Sequence, residues 1–313
     1  MRTLPRLLTI ALVLLAGAAT ADEPDPMAAA RLEFLAAYTR ANAEPPAAAT
    51  EADSERLRSY PLYPYLQAAR LGNRLGDATA AADITAFLQE HGKAPYARAL
   101  RSSWLMTLAL RRDWEPYLAA YREDVDDTVA ARCNALAARV ALGRSDGLAE
   151  AVTRTYLSPK SLPAACDPAF DWLRAQGGLT AALVEQRARL ALGAGDASLA
   201  RYLAKSLPAA QAVTIEQWAA LIEKPRASIE ALIAEPARTV ETAALLDGWS
   251  RFSRSDAEAA AGLYPSLVQA RALDASAASP LAIATAQALA WSRLPRSLEF
   301  FALGAAADFD ERA

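Results

Sequence analysis

The sequence predicts an all-α fold built from stacked helical hairpins. The chain has 313 residues, 53% of them hydrophobic, and only 13 glycines. Alanine is abundant, while the β-branched residues are sparse, which favours helix and leaves strands little to work with. Short connectors repeat a glycine-then-aspartate theme. "ARVALGRSDGLAEAV" from Ala138 and "ARLALGAGDASLARYL" from Ala188 each end a helix near Gly143 or Gly193. Each then places Asp146 or Asp196 where a following helix needs an N-cap. "ARLGNRLGDATAAA" around Asp77 and "SRFSRSDAEAAA" around Asp256 are looser versions.

The elements follow in order. "MRTLPRLLTIALVLLAGAATA" carries Arg2 and Arg6, an apolar run to about Ala18 and a small-residue end. That layout predicts a signal peptide over residues 1–21, cleaved after Ala21. Loss of its two arginines takes the formal charge from −3 to −5. The apolar run is too short to span a bilayer, and no later run is longer, so stable membrane insertion is not expected. "DEPDP" leads into a helix from Met27 to about Asn42. "AEPPAAATEADSE" breaks it, and a short helix approaches Tyr60. "YPLYP" then predicts a stiff non-helical elbow at Tyr60–Tyr63, with a helix starting near Pro64 and with Leu62 and the tyrosines wedged between helices. Further on, Tyr96, Leu100, Trp104 and Leu108 make an apolar stripe, with Arg98, Arg101 and Arg112 largely off it. A hairpin cannot cover its own apolar face, so neighbours must stack. The expected product is a right-handed α-superhelix that is TPR-like but irregular, with no boundary between residues 27 and 313.

Chemistry is thin in this sequence. The single histidine, His91, suits a helix C-terminus, where the dipole favours it. With two distant cysteines it makes no metal site of ordinary spacing. No glycine-rich phosphate loop and no G-x-S-x-G stretch occurs, so neither cofactor nor metal is expected. Glu299, in "SLEFFALG", is the least ordinary carboxylate, yet nothing nominates it as a catalyst. The six tryptophans, at 104, 114, 172, 218, 249 and 291, read as packing between hairpins rather than as sugar platforms. Mild acidity argues against nucleic acid as a partner. Cys133 and Cys166 are the only cysteines, and the residues alone leave a disulfide and two buried thiols both open.

Four stretches, in order, resemble the soluble lytic murein transglycosylases of the 70-kDa type. They are "YPLYPYLQAARL" (Tyr60–Leu71), "RSSWLMTLALRRDWEPYLAAYR" (Arg101–Arg122), "RCNALAARVALG" (Arg132–Gly143) and "LPAACDPAFDWL" (Leu162–Leu173). The resemblance implies a periplasmic enzyme that cuts the MurNAc–GlcNAc bond of peptidoglycan and leaves 1,6-anhydro-MurNAc ends. It implies glycan strands and other cell-wall enzymes as partners, and a Cys133–Cys166 bridge. It also implies that residues 22–313 form the U-shaped helical domain. The family's catalytic signature, a Glu-Ser pair followed by G-L-M-Q, is absent, and the methionines are Met1, Met27 and Met106. No catalytic residue carries over. The expectation is that this chain stops before the family's linker and catalytic domains and is inactive alone; the alternative is a non-catalytic periplasmic TPR-like scaffold that binds glycan or protein.

Overall fold

The computed structural model describes residues 25, 27–46 and 52–304. The expected signal peptide lies outside them. Helices and short turns account for the regular structure of the described residues, with no strand among them. The all-α class is therefore what the sequence predicted. The chain divides into two compact units, the division falling after Thr107.

The first unit holds α1 (Ala28–Ala41), α2 (Glu55–Arg58), α3 (Tyr63–Gly72), α4 (Ala81–His91) and most of α5 (Pro95–Arg111). Its core gathers Phe34, Ala37, Ala41, Leu57 and Leu66, with Tyr38, Tyr60, Tyr63 and Tyr65 packed around them. The elbow is non-helical at Tyr60–Leu62, and Tyr63 already opens α3, with Pro64 in its first turn. A proline at that position removes only an N–H that the helix would leave free anyway. The wedge is made by rings and not by Leu62, which is 43% exposed. Tyr60 lies 5.2 Å from the Phe34 ring, and Tyr65 meets Tyr96 edge-on at 4.8 Å. Asp53 ties the elbow down. It accepts from the Tyr63 hydroxyl at 2.7 Å and from both terminal nitrogens of Arg70 at 2.6 and 2.9 Å.

On α5, Leu100, Trp104 and Leu108 are buried as expected. Arg101 is the correction: it is 2% exposed, on the buried side. Its Nη2 donates to the Gly92 carbonyl at 2.9 Å, while its Nη1 has no partner.

The second unit runs through α6 (Trp114–Ala120), α7 (Val129–Ala141), α8 (Leu148–Tyr156), α9 (Asp167–Ala175), α10 (Ala181–Gly193) and α11 (Ala197–Ala204). It continues with α12 (Ala209–Glu223), α13 (Pro225–Ala234), α14 (Thr242–Ser255), α15 (Ala257–Ala270), α16 (Ala275–Trp291) and α17 (Ser297–Leu303). Neighbours in sequence are mostly neighbours in space, as stacked hairpins require. One core spans α7 to α12 and a second spans α12 to α17, and Trp218 packs against both. Helices approach closely where side chains are small. A Cβ at Gly248 on α14 would come within 2.6 Å of Leu221 on α12.

The caps follow the aspartates in part. Asp196 accepts from Leu199 N–H at 2.9 Å, Asp256 from Ala259 N–H at 3.0 Å, and Asp77 from Thr79 N–H at 2.8 Å. Asp146 does not cap: Gly147, at φ 59°, takes the N-cap position of α8. The glycine that turns left-handed after α10 is Gly195, at φ 84°, while Gly193 remains helical.

Cys133 of α7 and Cys166, in the short turn before α9, form a disulfide with Cα atoms 4.6 Å apart. Both are fully buried in the first core of this unit. The bridge closes a loop spanning 33 positions.

Three outcomes are expected. Replacing both cysteines by serine lowers unfolding stability by about 2–4 kcal/mol, read from denaturant titration. Leu66→Ala costs about 2–5 kcal/mol in the same assay, while Leu62→Ala stays within about 0.5 kcal/mol. The hydrogen bonds from Arg70, foremost, and then from Tyr63 hold the Asp53 carboxyl below the usual carboxylate range, against the opposing effect of burial. Stability from this group is present above its unfolded pKa of about 3.9 and is lost as pH falls through the depressed folded value. Asp53→Asn therefore costs about 1–2 kcal/mol near neutral pH, and the gap from the parent chain narrows as pH falls below the unfolded value of about 3.9.

Candidate ligand-binding groove

A concavity of the second unit has a volume of about 1190 Å³. It opens between α8–α9 and α10–α11. Its floor is aromatic: Tyr156 of α8 meets Phe170 of α9 edge-on, ring centroids 5.1 Å apart. Arg187 of α10 enters from the side and is 5% exposed. Its guanidinium carbon lies 4.6 Å from the Tyr156 ring centre and 5.9 Å from that of Phe170. Its Nε donates to the Ser158 carbonyl at 3.3 Å and its Nη2 to the Lys160 carbonyl at 3.4 Å. A buried guanidinium is costly unless its N–H groups are met. Here carbonyls and ring faces meet them, and the loop after α8 is held in return. Burial pushes the Tyr156 phenol up, and the Arg187 charge opposes that.

The rim is different in character. Tyr202 of α11 is 68% exposed, and the Lys205 ammonium sits 5.8 Å from its ring centre. Asp171 and Arg174 form an ion pair along α9. Asp167 and Asp196 also line the groove, Asp196 being occupied as a cap. An open aromatic face beside a cation and carboxylates offers a flat surface for C–H groups, with donors and acceptors for hydroxyls. The groove is larger than the ~300–1,000 Å³ of ordinary small-molecule pockets, which suits an extended ligand.

The residues singled out in the sequence lie elsewhere. His91 ends α4, its Nδ1 3.2 Å from the Tyr96 hydroxyl and its ring 4.2 Å from Phe87. Glu299 is exposed in the first turn of α17 and pairs with Arg296 at 3.4 Å. Among the tryptophans, Trp104 and Trp249 are buried, and Trp249 Nε1 donates to the Leu281 carbonyl and to Thr285 Oγ1, both at 2.9 Å. Trp291 departs from the packing reading, being 92% exposed. No group of histidine, cysteine and carboxylate residues able to hold a metal occurs among the described residues. Asp53, Asp77, Glu223 and Glu241 are displaced below the ordinary carboxylate range, the opposite of what a general acid needs.

Sequence reasoning did not find this groove. One signal was present: Arg187 falls on the same helical stripe as Val184, Ala188, Ala191 and Leu192, all buried. Tyr202 carries no such signal, since an exposed aromatic and a packed one look alike in a string of letters.

Comparison with known proteins places the chain. It is 32% identical over 219 residues to the soluble lytic murein transglycosylase of Salmonella typhimurium, a match taking in 70% of this chain and 34% of that protein. The Escherichia coli K12 protein of the same name is 31% identical over 218 residues, with the same two shares. Among solved structures, the 70-kDa soluble lytic transglycosylase in complex with bulgecin A matches with a TM-score of 0.66 at 29% identity, over 81% of this chain and 41% of that one. An inactive mutant of the lytic transglycosylase Slt from Pseudomonas aeruginosa matches with a TM-score of 0.60 at 28% identity, over 79% and 40%. No family model matches. The chain is homologous to the soluble lytic murein transglycosylases, and its all-helical, superhelical class agrees with their fold. It spans about a third of the length of the curated relatives it matches.

Proposed function

We propose that this chain is the helical scaffold of a periplasmic lytic transglycosylase, an enzyme that cleaves the MurNAc–GlcNAc bond of peptidoglycan and leaves 1,6-anhydro-MurNAc ends. The observation that carries the reading is the 219-residue match at 32% identity, confined to about a third of the relative. On this reading the scaffold does not cut. Cleavage needs a protonated carboxyl aimed at the leaving oxygen in a water-poor pocket. Glu299, exposed and paired with Arg296, does not meet that requirement. The scaffold's part is to hold glycan, with the Tyr156–Tyr202 groove as the surface and Tyr202 as the stacking face. Export is by the signal peptide, with cleavage after Ala21. A second reading, a free-standing periplasmic scaffold for glycan or protein, draws on the same groove and needs no catalytic partner.

The test is co-sedimentation of the purified chain with peptidoglycan sacculi, followed by analysis of the soluble products. Binding is expected, with no anhydro-ended products. Tyr202→Ala is expected to weaken binding about tenfold, a loss of ~1.4 kcal/mol, with the melting temperature unchanged. Anhydro-ended products that vanish in Glu299→Gln would overturn the non-cutting role. Full binding by Tyr202→Ala would remove the groove from the proposal.

A further inference from the structure

A second, smaller concavity of about 290 Å³ lies between α7 and α8 and shares no lining residue with the Tyr202 groove. Three arginines line it. Arg132 and Arg139 stand two turns apart on α7, and Arg154 comes from α8. Residues seven apart on a helix share a face, so the two α7 guanidiniums point the same way. Arg139 is fixed by a hydrogen bond from its Nη2 to the Asp146 carbonyl in the α7–α8 turn. None of the three is in an ion pair with a carboxylate among the described residues, in a unit where Arg144, Arg174, Arg189 and Arg201 all are. Three like charges sharing one hollow repel each other, and an anion placed between them relieves that repulsion. Tyr121 forms part of the wall. Burial, foremost, pushes its phenol up, with Glu123 reinforcing the shift and Arg132 opposing it.

The remaining lining selects among anions. Leu118, Ala135, Leu136 and Ala151 give an apolar floor, which inorganic phosphate does not use. Glu123 supplies one carboxylate at the same hollow. It would repel a bare dianion and attract an ammonium or amide N–H. The volume is at the lower edge of ligand pockets, about 300 Å³, which is too small for a glycan strand.

We propose that the Arg132–Arg139–Arg154 hollow is a binding site for a short acidic peptide, whose carboxylates meet the arginines and whose amine faces Glu123. The hollow and its charge stand on geometry alone. The expectation that the natural peptide is one attached to glycan rests on the function proposed above.

The experiment is calorimetric titration of the purified chain with the dipeptide L-Ala-D-Glu, with its diamide and with inorganic phosphate. The dipeptide is expected to bind at least about tenfold more tightly than either comparator, and more weakly as salt rises. Arg132→Gln and Arg154→Gln are each expected to weaken it about fivefold or more, with circular dichroism and melting unchanged; Arg139 is spared because it braces the turn. Glu123→Gln is expected to narrow the preference for dipeptide over phosphate. Equal binding of dipeptide and diamide, or no binding of the dipeptide, would overturn the proposal. Phosphate binding as tightly as the dipeptide would overturn the peptide assignment. Tyr202→Ala separates the two readings: loss of sacculus binding with dipeptide binding intact locates glycan in the large groove without touching this site. Sacculus binding that survives while the dipeptide fails to bind removes this site alone.

Discussion

A short helix with one apolar stripe has nowhere to bury it except on another helix. That constraint governs the second unit. Its helices run from 7 residues in α6 to 17 in α16, and helices of this length are marginal in water by themselves. Stability must therefore come from stacking, and stacking must be close. Alanines at 188, 191, 200, 219, 260, 282 and 286 are buried, and Gly248 admits Leu221 where any side chain would collide. Trp218 then joins the two cores: its indole packs on both, and its Nε1 donates to Asp247, which also accepts from Arg251. Small residues give the proximity, and a few large ones fix the angles.

Buried polar groups set the positions that stacking alone would leave loose. Trp249 donates into α16, and Ser279 of α16 donates to the Gly304 carbonyl at 2.8 Å. Arg187 does the same work at the large groove, where it holds the 158–160 segment against two rings. Between helices, Arg189 of α10 grips Glu241 just ahead of α14, and Arg201 of α11 grips Glu216 and Glu223 of α12. Exposed pairs of this kind are worth little singly, but bidentate geometry and shared arginines favour them. The disulfide belongs to the same set, since it fixes the turn before α9 to α7.

Much of this was legible in the sequence, for reasons that also explain the misses. Helix content follows from composition, and Asp196 and Asp256 were readable as caps because each stands immediately before its helix. Asp146 was misread because Gly147 stands between it and α8 and takes the cap position itself. The α5 stripe was read at a strict spacing of four, which drifts by about 40° at each step around a helix of 3.6 residues per turn. The true buried face is wider and holds Ala97, Arg101 and Leu105 beside Leu100, Trp104 and Leu108, so Arg101 was placed on the wrong side. At the elbow, the prolines located the break, but which neighbour turned inward depended on Phe34, 26 positions from Tyr60. The large groove was not legible at all. It exists only between helices, and its rim tyrosine differs from a core tyrosine in nothing but its surroundings.

Trp291 gives the molecule a built-in optical label. Trp104 and Trp249 are enclosed, Trp114, Trp172 and Trp218 are half-covered, and Trp291 at the end of α16 stands in water. Its emission should lie at the red edge of the protein's fluorescence, and a collisional quencher such as iodide should reach it first. Removing this one indole by Trp291→Phe should leave a bluer, less quenchable spectrum that reports on the enclosed and half-covered indoles. Because the side chain makes little contact with its own fold, any shift in its emission reads out what lies against the end of α16, independently of events in either groove.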